Sequence, residues 1–326
     1  MLMFTYIRHR IGFLFFSVMT AGLLITGLPL TAQAAPPGWE PLLEPAELAT
    51  IMGGSRSVRV IHVTGDFAES HIPGAANAPY PQWRGPQDNP GSLPALEKLT
   101  ALVQSLGISA DTPVAIVHQG NNPADMGTAT RVYWTLKSLG ITDLAVVNGG
   151  FAAWTEAGLP ISSVTDQVAP SSFVPQWSDK WRVTTAEVET LVSEGSARLI
   201  DARPEGFFKG LQSSAGRPGT IRGAGNLNFE SWFDGNRLKD MPQMSSILSS
   251  YPVQEAPLTV SFCNTGHQAS VNWFVLSELQ GVPNTRLYAE SMAEWSLADR
   301  PMDNQPSRVQ IYWDMTKGWF SELLGS

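Results

Sequence analysis

The chain writes one pattern twice, and that repetition is the strongest constraint on its fold. In the first copy Pro45 to Ala49 reads as a short helix and Val58 to Val63 as a buried strand. Leu96 to Leu106 has helical periodicity and stops at Gly107. The strand Val114 to His118, the helix Ala129 to Leu139 and the strand Leu144 to Val147 follow. In the second copy Thr184 to Val192 is a helix, with Thr184 and Glu187 spaced as a capping box. Arg198 to Asp201 and Leu258 to Phe262 are strands, and Gln268 to Leu279 is a helix. Gly219 to Asn226 repeats the spacing of His71 to Asn77, and Trp295 falls at the equivalent of Trp154. Strands alternating with helices predict a parallel sheet covered on both faces. The fold class is therefore α/β: two similar domains, each a small parallel sheet flanked by helices.

The 326 residues suffice for two domains of ordinary size, and 43% apolar with 15% charged residues marks a chain able to bury a core. Residues 1–34 read as a secretory signal: Arg8, His9 and Arg10 precede an apolar run broken by Gly22, Gly27 and Pro29, and Ala32-Gln33-Ala34 offers a cleavage site. An uncleaved anchor is the alternative. The expected address is periplasmic or secreted. Residues 40–160 form the first domain, 161–180 a Pro- and Ser-rich linker, 181–303 the second domain and 304–326 an aromatic tail. In that tail Ile311, Met315 and Trp319 form a stripe that packs on the body or meets a partner or membrane surface. The net charge of -8 argues against a nucleic-acid partner. An anionic substrate would need a local positive site.

The chain has one cysteine, Cys263, at the C-terminal end of an apolar strand. Asn264, Thr265, Gly266 and His267 follow, and Gln268 opens a helix. Loop N–H groups at such a turn converge on the sulfur and the helix start adds positive potential, which lowers a thiol pKa and binds anions. Cys263 is either a buried structural thiol or a nucleophile. Its place at a strand-to-helix turn favours the nucleophile, as does an unpaired cysteine in an exported chain.

The loop Cys263-Asn264-Thr265-Gly266-His267 resembles the active-site loop of the rhodanese (sulfurtransferase) superfamily. Ser70-His71-Ile72-Pro73-Gly74-Ala75, Asp201-Ala202-Arg203 and Gly149-Gly150-Phe151-Ala152-Ala153-Trp154 resemble further segments of that family. The resemblance covers most of residues 40 to 303. It implies two rhodanese-like domains, the first inactive for lack of a cysteine; aligning Val114 with Leu258 sets Gln119 opposite Cys263. It also implies the reaction: Cys263 takes a sulfur from a small anionic donor such as thiosulfate and passes it, through a persulfide, to cyanide, a thiol or a protein acceptor. Asn264 to Gln268 would hold the persulfide, with a protonated His267 as an aid to the thiolate. His71 reads as a structural turn residue.

The chain also departs from the family pattern. Asn264 and Thr265 are neutral where thiosulfate enzymes of the family carry basic residues, and Phe207 stands where an arginine is common. Arg203 is left as a substrate-binding candidate or an internal salt bridge, and Arg217 or Arg222 as further approaches to the cleft. A related phosphatase loop needs arginine where Ala269 stands, and no second cysteine gives a Cys-x-x-Cys pair. No metal-ligand spacing or nucleotide loop appears, so neither a metal nor a cofactor is expected. The competing readings are a sulfur carrier or protein-binding module with little turnover, and a purely structural tandem.

Overall fold

The computed structural model describes residues 35–214, 216–251 and 256–307. The signal-like segment and nearly all of the aromatic tail therefore lie outside the described residues, as do Ala215 and residues 252–255.

The first half contains β1 (Leu42–Leu43), β2 (Arg59–His62), β3 (Ala76–Asn77), β4 (Val114–Val117) and β5 (Leu144–Val147), in the order β1-β5-β4-β2-β3. All these pairings are parallel. Its helices are α1 (Pro45–Met52), α2 (Leu96–Ser105), α3 (Met126–Ser138) and α4 (Gly150–Glu156). The second half repeats the plan. Its strands are β6 (Arg182–Val183), β7 (Arg198–Asp201), β8 (Thr220–Ile221), β9 (Gly225–Asn226), β10 (Phe233–Asp234), β11 (Arg237–Leu238), β12 (Thr259–Phe262), β13 (Thr285–Tyr288) and β14 (Met302–Asp303). The parallel sheet runs β6-β13-β12-β7-β9, while β10 with β11 and β8 with β14 form small antiparallel pairs. Its helices are α5 (Thr185–Glu194), α6 (Glu205–Phe208), α7 (Met241–Ser249), α8 (Gln268–Phe274) and α9 (Ser291–Trp295). The chain is thus α/β, two parallel sheets of one topology with helices on their faces.

Local chemistry accounts for the boundaries. The Thr184–Glu187 capping box is present, and Gly195 closes α5 at φ 63°. α3 begins three residues before the apolar pattern suggests, because Asn122 accepts from the Asp125 amide and starts the turn early. α8 runs on into a single π turn, Val275–Leu279. His71 is structural: it is fully buried, stacked on Phe67 at 3.8 Å between centroids, and bonded to the Phe67 carbonyl at 2.7 Å. The 161–180 segment lies along the first half, with Phe173 buried and its carbonyl held by Gln104.

The ladders correct the alignment of the two copies. His62 pairs with Val117 and Asp201 with Phe262, so His118, not Gln119, stands where Cys263 stands. The Phe151 amide meets the His118 carbonyl just as the Met292 amide meets that of Cys263. Both central strands are buried on both faces, so their apolar runs carry no alternation to fix register.

The two halves share one core. Tyr133 and Trp134 of α3 belong to the same buried cluster as Trp273 and Phe274 of α8. The Tyr133 and Phe274 rings meet at 5.1 Å, and the Thr130 and Ser270 hydroxyls at 2.7 Å. That packing presses the start of α8, and the loop before it, against the first half.

Three buried histidines set the acid limit of this fold. Burial lowers the pKa of His62 to about 3, and of His118 and His267 to about 4. Each is therefore neutral in the folded chain at neutral pH, and each takes up a proton on unfolding below about pH 6.5. Their stabilising contribution is complete above that pH and is lost as pH falls through about 4. We predict an unfolding free energy that falls by roughly 2–4 kcal/mol per pH unit near pH 5. Denaturant titrations from neutral pH downward measure that slope.

Candidate active site

Parallel α/β sheets place their sites at the carboxyl ends of the strands. Cys263 follows the last residue of β12 and is only 1% exposed. Its backbone is clamped on both sides. Its amide donates to the Ser291 hydroxyl at 3.1 Å, and its carbonyl accepts from the Met292 amide at 3.0 Å. The next carbonyl, that of Asn264, accepts from the Ala293 amide at 2.8 Å. Ser291 sits at φ 54°, a conformation that disfavours a side chain, and its hydroxyl also donates to the Tyr288 carbonyl at 2.7 Å.

Beyond the cysteine the loop carbonyls turn towards cations. Arg84 donates to the Thr265 carbonyl at 2.9 Å and Arg131 to the Gly266 carbonyl at 3.4 Å. Gly266 makes this path available at φ 68°. By contrast, the amide groups of Asn264, Thr265, Gly266, His267 and Gln268 find no protein acceptor among the described residues. A run of unpaired amides around a strand end is an anion cradle. Cys263, Asn264, Thr265, His267 and Gln268 line a cleft of about 370 Å³, closed from the other side by Tyr80, Arg84 and Pro90. A larger cavity of about 510 Å³ lies apart from it, among Leu42, Met241 and Met244, and holds no nucleophile.

The loop side chains divide their work. Asn264 is held from behind, its amide oxygen accepting from Arg203 at 3.2 Å. His267 turns into the first half: Nε2 meets the Ala124 carbonyl at 2.8 Å and Nδ1 meets the Tyr80 hydroxyl at 3.0 Å. The acceptor at Nε2 fixes the proton there, so Tyr80 donates to Nδ1. Burial pushes the Tyr80 pKa up, which keeps that donor protonated. Burial also lowers the His267 pKa to about 4, with the Arg84 and Arg131 charges acting in the same direction. The expectation of a protonated His267 beside the thiolate is corrected: the ring is neutral and acts as a strut.

The candidate arginines of the second half also fall elsewhere. Arg203 is 3% exposed and does not line the cleft. It grips Asp201 at 2.6 Å and the Gly219 carbonyl at 2.7 Å, and with Asn264 those partners occupy it. Its role is to position the loop. We predict that Arg203→Met costs about 3–5 kcal/mol, because it strands a buried Asp201; urea unfolding measures the loss. Arg217 is tied to the carbonyls of Ser296, Ala298 and Arg300, and Arg222 is exposed and does not line the cleft.

The sequence reading missed Tyr80, Arg84 and Arg131. All three come from the half without a cysteine, and the first two lie in Pro79 to Pro94, a loop-like stretch rich in Pro and Gly. Arg131 is fully buried, bonded to the carbonyls of Gly91 and Gly266, and stacked 5.0 Å from the Trp134 ring. Burial lowers its pKa to about 10, which leaves it cationic at neutral pH.

Known proteins share this plan. The Rhodanese-like domain family matches residues 45–157 and again 184–298. A Synechococcus elongatus protein with a provisional thiosulfate sulfurtransferase name is 28% identical over 316 residues, spanning 89% of this chain and 96% of its own. Human 3-mercaptopyruvate sulfurtransferase is 28% identical over 247 residues, spanning 73% of this chain and 81% of its own. The Escherichia coli 3-mercaptopyruvate enzyme SseA shares the fold, with a TM-score of 0.68 at 22% identity over 77% of this chain and 98% of its own. Two family matches, one on each α/β half, account for the repeated sheet, the repeated segments and the cysteine at the end of the second central strand: the chain belongs to the rhodanese-like family in its tandem, sulfurtransferase form.

Proposed function

We propose that this protein is an exported sulfurtransferase that carries sulfur as a persulfide on Cys263. The observation that carries the proposal is the run of amides without a protein acceptor, Asn264 to Gln268, that directly follows the only cysteine. A thiolate and a persulfide are both anions, and fixed amide dipoles stabilise them without reorganising during reaction. The Cys263 thiolate attacks the outer sulfur of a donor such as thiosulfate, the sulfur–sulfur bond breaks, and sulfite leaves with the electron pair. Cyanide or a thiol then attacks the terminal persulfide sulfur and regenerates the thiolate. The relatives' names supply both thiosulfate and 3-mercaptopyruvate as donor chemistry. Export rests on the basic, apolar and small-residue pattern of residues 1–34.

Two displacements through one covalent intermediate give ping-pong kinetics. Varying thiosulfate at several fixed cyanide concentrations should give parallel double-reciprocal lines for thiocyanate formation. Intersecting lines would mean a ternary complex and would remove the persulfide from the pathway. Mature protein recovered from the exporting cell should begin at Ala35.

A further inference from the structure

The positive charge of the cleft comes from the half that lacks the cysteine. The loop has no cationic side chain of its own: Asn264, Thr265 and Gln268 are neutral, and the His267 pKa of about 4 leaves that ring uncharged. Arg84 lines the cleft beside Cys263. It follows a tight turn, Tyr80–Trp83, anchored by the fully buried Trp83, whose indole donates to the Ala78 carbonyl at 3.1 Å. One Arg84 N–H donates to the Tyr80 hydroxyl at 2.7 Å and another to the Thr265 carbonyl at 2.9 Å, while the guanidinium lies 5.2 Å over the Tyr80 ring. A guanidinium has five N–H donors, so these contacts hold the group in place without exhausting it.

No carboxylate pairs with Arg84 or with Arg131 among the described residues. In a chain of net charge -8, two guanidinium groups without a direct ion pair thus meet at one loop: Arg131 behind it, where Glu290 acts on it only from a distance, and Arg84 in its cleft. A half-buried cation without a counter-ion draws an anion far more strongly than an exposed one.

We propose that Arg84 is the donor-recognition residue: it binds the negatively charged leaving portion of the sulfur donor and selects small anionic donors over neutral ones. This rests on Cys263 as the nucleophile. In the thiosulfate reaction the sulfonate oxygens that Arg84 holds become those of the departing sulfite, so the charge it meets is present from binding to departure. Recognition then belongs to the first half and chemistry to the second.

Alkylation of Cys263 tests charge selection without calling on sulfur transfer. Iodoacetate and iodoacetamide form the same carbon–sulfur bond and release the same iodide, and they differ in charge. In the full-length protein, Arg84→Met should lower the ratio of iodoacetate to iodoacetamide rates about tenfold. Arg84→Lys should restore most of it, and added salt should lower the wild-type ratio. Arg84→Met should also raise the KM for thiosulfate about tenfold, with a smaller change in kcat. An unchanged ratio, or an equal fall in both alkylation rates through a loosened loop, would overturn the proposal. Should Arg84→Met fail to fold, a wild-type ratio indifferent to salt would overturn it instead. Charge selection at Cys263 without sulfur loading from thiosulfate would retain the Arg84 anion site and reject thiosulfate as the donor.

Discussion

Replacing Cys263 with serine should reduce sulfur transfer by at least ~10³-fold while leaving the fold intact. Serine is close to cysteine in shape, and the site is held by backbone contacts that it keeps: the amide to Ser291 and the carbonyl from Met292. A serine hydroxyl at neutral pH offers neither a thiolate nor a stable sulfur adduct. Circular dichroism and thermal unfolding should therefore match wild type within about 1 kcal/mol, with thiocyanate formation at background. Transfer that survives the substitution would remove Cys263 from the reaction.

Gly266→Ala should also abolish activity, by a different route and with a stability cost. A Cβ at this position would lie 2.3 Å from the Ala289 carbonyl oxygen and 2.5 Å from the Arg131 guanidinium. The residue is at φ 68°, so the side chain adds backbone strain to the clash. The loop must move, and with it the amides beside the sulfur. We expect at least ~10²-fold lower kcat/KM and a loss of about 1–3 kcal/mol in denaturant unfolding. The pair separates chemistry from architecture: serine at 263 leaves the cradle and removes the nucleophile, whereas alanine at 266 leaves the nucleophile and breaks the cradle.

Much of this organisation was legible in the sequence because it rests on local rules. The strands Arg198–Asp201 and Leu144–Val147 stand where their apolar runs put them, and Thr184 with Glu187 forms the capping box that the spacing announces. The cysteine loop was visible as a strand end followed by small residues and a helix. The register between the copies was not, because β4 and β12 are buried on both faces and a slip of one residue leaves their pattern unchanged.

The first-half side of the site was hidden for another reason. Arg84 contacts a carbonyl 181 residues further along the chain, and no periodicity reports such a meeting. Arg203 stood open between a substrate ligand and an internal salt bridge, and the structure shows the salt bridge: its partner is two residues back in the same strand end, Asp201. A protonated His267 aiding the thiolate is the expectation from the loop alone; burial against Tyr80 and the Ala124 carbonyl, which no local pattern reports, makes the ring neutral.

The most direct test of the account is the intact mass of the purified mature protein before thiosulfate, after it, and after cyanide. The account predicts a gain of one sulfur atom located at Cys263, then its loss to cyanide as thiocyanate appears. A Cys263 that is reduced and alkylatable, yet gains no sulfur from thiosulfate, 3-mercaptopyruvate or a persulfide donor, would contradict it.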